Sequence, residues 1–325
     1  MKHTKRLWAC TLLAACLALT GCSQSSVQAY VQPTPEGAVA IPALPDASAD
    51  DTLNATLYFR YEDTALLRQE MRAVSVSPNK TRESALVEAL LAGSQEGGGS
   101  LFPEGVELLS TQTQDGVVFV TFNEALYGRY GDESGSLTAA HALPEAQLRR
   151  HLAMAALTAA LTENGQCHAV QVLVRQQSAI GSSMRLKESY FLENSEQPAA
   201  LLTRNEDYLM TPANVAHFLL RAWQQRNFDT MYPLLTNLDG ASARPAQTTA
   251  SEMLAATDAL LVYSLSPGSI SPDGQSAVVC IDMTLRHADG SEYRLEAWPL
   301  KLTRENGAFK VSLSALKSLM QLNEE

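Results

Sequence analysis

The 325-residue sequence is poor in cysteine, with five in all. No Cys-x-x-Cys pair occurs, so neither a disulfide framework nor a dithiol redox motif is indicated. Cys167 and Cys280 lie far apart and read as unpaired, mostly buried thiols. Positive charge is also scarce. There are 24 Lys and Arg against 35 Asp and Glu, and the formal charge of −11 becomes −14 once Lys2, Lys5 and Arg6 are set aside. Such a chain is repelled by nucleic acid and by anionic lipid. Beyond the first twenty residues no apolar run reaches the roughly 20 residues of a membrane-spanning helix. Several catalytic signatures are missing too. The Gly-rich stretch SQEGGGS (94–100) lacks the Lys-Ser/Thr of a phosphate cradle. There is no Gly-x-Ser-x-Gly elbow, no His-Glu-x-x-His, and no spacing that sets two carboxylates across a cleft. Hydrophobic residues make up 46% of the chain, enough to build cores.

What is present begins at the N-terminus. Lys2, Lys5 and Arg6 precede an apolar run from Leu7 to Leu19, the length of a signal-peptide core. The segment LALTGCSQSS (17–26) then places Cys22 directly after Leu19-Thr20-Gly21. This order resembles the lipobox of bacterial lipoproteins. The resemblance implies removal of residues 1–21, a diacylglycerol thioether on Cys22 and acylation (palmitate) of the new N-terminus. Two or three acyl chains hold a protein firmly where one holds it marginally. Residues 23–51 are rich in Ser, Gln, Pro, Ala and Asp without periodicity, which is linker composition. Such a tether reaches roughly 30 Å.

The remaining residues, about 270, suffice for two domains. In the first, 52–195, Leu57–Phe59 and Arg72–Ser77 read as extended pieces. Thr81 caps a helix ending at Gly93, with Leu86, Val87, Leu90 and Leu91 on one face. Val106–Thr113 and Val117–Asn123 flank Asp115-Gly116, a strong hairpin signal. Pro144 opens a long helix to Asn164-Gly165. Its apolar stripes are Leu148, Leu152, Ala155, Ala159 and Met154, Leu157, Leu161. Val170, Val172 and Val174 alternate along a last strand. The order predicts a small α+β sandwich with its helices on one sheet face.

The pieces LYFRYEDTALLRQEMRAVSVS, ESALVEALLAG, LFPEGVELLSTQTQDGVVFVTFNEAL and HLAMAALTAALTENGQCHAVQVLV, in that order, resemble the GerMN domain. That domain occurs in sporulation and spore-germination lipoproteins of Gram-positive bacteria and in related extracytoplasmic lipoproteins. The ALLAG helix end, the FPEGV turn and the Asp-Gly hairpin are the most characteristic pieces. The Gly-Gly-Gly loop departs from the family's frequent Gly-Pro. The resemblance implies a fold like the ring-building modules of secretion and sporulation complexes, with no catalytic residues to carry over.

A linker (196–207) and a second domain (208–325) follow. Thr211-Pro212 starts a helix with an apolar stripe of Val215, Phe218, Leu219, Ala222 and Trp223. Asn227–Asp229 is a break, and Ser251–Leu260 is another helix candidate. Turn signals at Pro272-Asp273-Gly274, Asp289-Gly290 and Asn306-Gly307 separate Ala277–Arg286, Tyr293–Thr303 and Ala308–Leu313. With Leu261–Leu265 in front, this predicts a four-stranded meander preceded by helices. The pattern is similar to the NTF2-like architecture; a divergent second GerMN copy is the alternative, against which the strand-rich C-terminal half argues.

A cone of that kind can hold a ligand pocket, for which His217, Asp282, His287 and Arg294 are the candidates. Their ordinary readings are solvated loop and sheet surface. His141 and His151 lack zinc-ligand spacing, so no metal and no cofactor is expected. Trp223 and Trp298 read as core residues, with a sugar platform the minor alternative. The sequence therefore predicts a non-enzymatic lipoprotein on the outer face of the cell membrane. It would be anchored through acylated Cys22 and pack with other envelope proteins in sporulation, germination or envelope assembly. The alternative is a lipoprotein binding a peptidoglycan fragment or small molecule in the C-terminal domain.

Overall fold

A computed structural model describes residues 51–97, 100–130, 139–175, 182–192, 194–237 and 244–322. It is α+β. Strands β1 (Asp51–Arg60) and β2 (Leu67–Val76) form a long antiparallel ribbon that is a sheet of its own. Helix α1 (Arg82–Leu91) follows, with the Thr81 hydroxyl accepting from Ser84 N–H as expected of a capping residue. Next come β3 (Leu108–Gln114) and β4 (Val117–Asn123). Asp115 (φ 51°) and Gly116 (φ 74°) turn the chain between them, the paired positive φ values of a tight hairpin. Helix α2 (Ala139–Asn164) crosses over to β5 (Ala169–Arg175), which pairs parallel to β4. Short β6 (Ser183–Arg185) completes the order β3-β4-β5-β6.

Two expectations for this part change. The helix begins at Ala139, so Pro144 lies inside α2 and does not open it. A proline there costs the hydrogen bond to the carbonyl four residues back. The ribbon also stands apart from the β3–β6 sheet, and α2 packs against both β1 and β5. Consequently α2 is buried almost all round from Leu152 to Leu161, and its two apolar stripes serve different partners. Its alanines allow that close approach. At its C-terminus Asn164 locks onto β1, accepting from Thr56 N–H at 2.8 Å and donating to Thr56 C=O at 2.7 Å.

Residues 196–207 form a bonded strap along the first part. Val170 and Leu202 exchange N–H···O=C bonds of 2.8 and 2.9 Å, and Ala199 N–H donates to Leu186 C=O at 2.7 Å. Helix α3 (Pro212–Gln224) then starts with Thr211 as N-cap and proline in its first turn. A 3₁₀ segment (Phe228–Leu234) and helix α4 (Gln247–Ala255) precede the second large sheet. Its strands are β7 (Ala259–Leu265), β8 (Ser269–Ile270), β9 (Ser276–Arg286), β10 (Glu292–Glu305) and β11 (Ala308–Lys310). The order is β11-β10-β9-β7, with β8 also on β9, and every pairing is antiparallel.

The expected helix over 251–260 is α4, shifted toward the N-terminus. It ends earlier because Ala259 and Leu260 pair with Arg286 and Leu285 on β9. The last expected strand is cut short as well. Ser312 accepts from Ala315 N–H and caps α5 (Leu313–Leu319), whose Leu316 and Leu319 are buried.

A first core gathers around α2 and a second around α3, including fully buried Trp223. The bend of the ribbon joins them, because Tyr61 and Leu66 belong to the second core. Tyr61 Oη–H donates to Pro233 C=O at 2.9 Å, and Met210 N–H donates to Leu67 C=O at 3.0 Å. The β10–β11 turn presses on the ribbon from the other side. Asn306 (φ 50°) and Gly307 (φ 76°) form that turn, and a Cβ on Gly307 would sit 2.5 Å from Gln69 C=O. Arg304 adds a 2.6 Å bond to the Gln69 side chain.

Candidate functional site

Cys22, the expected lipidation site, lies outside the described residues. The four candidates in the C-terminal part fall within them; Asp282 and Arg294 line one cleft of about 290 Å³ on the second sheet, while His217 and His287 lie elsewhere. Asp282 caps a bulge in β10. The β9–β10 register shifts between Leu295 and Trp298, and Ala297 there adopts φ 50°. The spare Ala297 N–H donates to Asp282 Oδ1 at 2.7 Å, satisfying a backbone donor that the ladder leaves over. Arg294 pairs with Glu296 on the sheet surface at 3.3 Å. His287 sits 2.8 Å from Asp258 Oδ2 and stacks on Tyr293, with ring centroids 4.4 Å apart. Tyr293 donates to the same carboxylate oxygen at 2.9 Å. Burial, and then the Asp258 carboxylate, push the Tyr293 phenol up to about 12. This trio clamps the start of β7 to the β9–β10 turn.

Both tryptophans among the described residues pack as core residues. Trp223 is fully buried and donates to Asp258 C=O at 2.9 Å, while half-buried Trp298 lies against the second core. His151 stacks on Phe191 at 4.6 Å, ten residues along α2 from His141. Among the described residues no cluster of three His, Cys, Asp or Glu is placed to hold a metal ion. Cys167 and Cys280 are both free thiols. Cys280 is exposed on β9, against the expectation of burial, because it alternates with inward-facing Val279 and Ile281. Burial raises the pKa of the Cys167 thiol, which donates to Leu161 C=O.

A roomier cleft lies at the seam between the two cores. It measures about 570 Å³ and opens between the ribbon bend, the 206–208 turn, α3 and the end of β7. Leu66, Phe218 and Leu265 give it an apolar floor. Asn205 and Asp207 line it from the 206–208 turn region, and His217 and Arg221 line it from α3. His217 and Arg221 are one helical turn apart, so they share a face of α3. The Tyr263 hydroxyl lies 3.2 Å from His217 Nδ1 and fixes the ring. Asn214 also lines the cleft but is engaged, donating to Glu206 C=O at 2.6 Å and Leu209 C=O at 2.8 Å. The lining offers no serine, threonine, cysteine or lysine. It suits binding better than nucleophilic chemistry.

Beyond Asn205 and Tyr208 a second cleft of about 290 Å³ holds His151, Phe191 and Arg204. Arg204 is fully committed there. It bonds Glu163 at 2.7 Å, Glu206, and the Tyr58 hydroxyl at 3.3 Å. The helical spacing of His217 and Arg221 was available from sequence. Asp207 was not, since it comes from the stretch that read as a linker, and only the packed strap brings it into a cleft that α3 also lines.

The family profile described as "Germane: Sporulation and spore germination" matches residues 56–179. These residues are a GerMN-type domain. Among solved structures, the chain is similar to the tandem GerMN domains of the sporulation protein GerM from Bacillus subtilis. The identity is 16% over 45% of this chain and 49% of that one, with a TM-score of 0.27. It is also similar to a candidate lipoprotein from Clostridium perfringens, at 19% identity over 38% of this chain and 74% of that one, with a TM-score of 0.21. The chain thus spans about half the length of the tandem structure it matches. Among curated proteins no match is found. The GerMN domain contains the whole ribbon except its first few residues, α1, β3 to β5 and α2. The ribbon bend that enters the second core therefore belongs to it. No described helix is long and apolar enough to cross a membrane.

Proposed function

We propose that this chain is a lipid-anchored extracytoplasmic module, held to the cell membrane through acylated Cys22. It acts without catalysis as a scaffold for other envelope proteins in sporulation, germination or envelope assembly. The observation that carries this reading is the GerMN match over 56–179, in a chain that also has the order Leu19-Thr20-Gly21-Cys22. A lipid anchor confines the folded part to a thin layer and raises its effective concentration toward membrane-bound partners. The non-catalytic reading is supported by how the candidate side chains are spent. Asp282 caps a bulge, His287 clamps a turn through Asp258, and Trp223 fills a core.

The test pairs anchoring with assembly. Cys22→Ala abolishes labelling by radioactive palmitate and moves the chain from the membrane pellet to the soluble fraction. Labelling that persists in the variant refutes anchoring at this residue. Cross-linking on intact cells recovers envelope proteins with the wild-type chain and loses them with Cys22→Ala; recovery of none with wild type refutes the scaffold role.

A further inference from the structure

The seam cleft carries two charges that the protein does not use. Neither Asp207 nor Arg221 has a side-chain hydrogen-bond or ion-pair partner among the described residues, although both line the same 570 Å³ space. Elsewhere the arginines nearest the seam are tied down. Arg304 bonds Gln69, Arg244 bonds two carbonyls, and Arg204 is saturated. Asp207 and Arg221 reach the cleft from different elements. The Asp207 N–H donates to Asn205 Oδ1 at 2.9 Å and sets the 206–208 turn, while Arg221 stands in the last turn of α3. Between them lies the apolar floor of Leu66, Phe218 and Leu265.

We propose that this cleft binds a small zwitterion with an apolar side chain, namely an amino acid or a short peptide. The ligand carboxylate meets the Arg221 guanidinium, with His217 beside it as a second polar contact. The ligand ammonium meets Asp207, and the side chain covers the floor. The charge pattern selects this class. Asp207 disfavours a ligand that is only anionic, such as a phosphate, and Arg221 disfavours one that is only cationic. The volume falls within the roughly 300–1,000 Å³ of small-molecule sites. The site draws on the GerMN ribbon for Leu66 and on the C-terminal helix for Arg221, so an occupant touches both cores. This inference does not depend on anchoring at Cys22.

The test is calorimetric titration of the full chain in detergent with three probes: leucine, leucyl-leucine, and N-acetyl-leucyl-leucine amide. Leucyl-leucine or leucine saturates one site, and the blocked probe binds at least about tenfold more weakly. Equal affinity for leucine and leucyl-leucine points to free amino acids as the source, and a requirement for leucyl-leucine points to peptides. Arg221→Gln and Asp207→Asn each weaken zwitterion binding about tenfold. Because both residues face the cleft, the unfolding midpoint stays unchanged in each variant and serves as the folding control. Failure of both zwitterions to saturate overturns the proposal. So does blocked peptide that binds as well as unblocked, or wild-type affinity in both variants.

Discussion

Around α2, in the GerMN part, charges are drawn inside. Arg60, Arg68 and Glu70 on the ribbon and Arg150 on α2 are all buried, whereas around α3 the only buried charge among the described residues is Lys310. The ribbon explains the contrast. A two-stranded ribbon has little apolar area of its own and must be fastened to something. Its arms bury Leu57, Phe59 and Val74 in the first core and are fastened further by ion pairs. Arg60 holds Glu145 on α2, Arg68 holds Glu96 beyond α1 at 2.6 Å, and Glu70 sits between Arg68 and Arg72. Its bend is fastened by burial, through Tyr61 and Leu66 in the second core. One element thus uses two kinds of attachment, and the two cores share it.

The largest effect expected from breaking this arrangement comes at the bend. Tyr61→Ala removes a buried ring and its bond to Pro233, costing about 4 kcal/mol in urea denaturation. The loss appears in tryptophan fluorescence, because Trp223 and Trp298 both report the second core while Tyr61 belongs to the GerMN ribbon. If fluorescence is unmoved and only helix circular dichroism shifts, the bend does not support the second core.

Next is Glu70→Ala, which leaves Arg72 without a carboxylate and Arg68 with Glu96 alone, and costs about 3 kcal/mol, read first in circular dichroism. The same chemistry sets an acid limit. Burial pushes the Glu70 carboxyl up, but the Ser94 hydroxyl, Arg72 and the Gln95 N–H together hold it below the usual glutamate range. Burial is likewise outweighed at Glu145 by Arg60 and Arg149, and at Glu305 by Thr236, Lys310 and Asn237. Carboxyls depressed in the folded state stabilise it fully above their unfolded value of 4.5, and that stability is lost as pH falls through the folded values. Urea midpoints should therefore be flat from about pH 8 to 5 and fall below about pH 4.5. A fall that begins above pH 6 would contradict these assignments.

Gly307→Ala strains the β10–β11 turn where it meets the ribbon. The turn needs φ 76° and sits against Gln69 C=O, so the variant loses about 2 kcal/mol. Gly290→Ala, which also needs positive φ but meets nothing within 4 Å, should lose less. The smallest effect is Ser312→Ala, about 1 kcal/mol from the α5 cap, confined to the second core.

Much of the fold was legible because its signals are local. Thr81 and Thr211 cap their helices, Asp115-Gly116 turns its hairpin, and Val117–Asn123 is the strand it resembles. What stayed hidden depends on distant partners. Nothing near Leu57 says that its strand leaves the main sheet, and nothing in 196–207 says that Leu202 bonds Val170. Ser312 falls inside the apparent strand run Ala308–Leu313, so its capping of α5 went unread. The candidate ligand residues Asp282 and His287 were chosen by chemistry alone, and their neighbours turned out to be a bulge and a turn. The seam cleft was invisible because it needs three segments that the sequence separates.

The measurement that tests the proposed function most directly is intact-mass spectrometry of the mature chain isolated from the membrane. The expected polypeptide starts at Cys22 and carries the added mass of a diacylglycerol and an N-terminal acyl group. A mature chain recovered from the soluble fraction with an unmodified Cys22 thiol would contradict it.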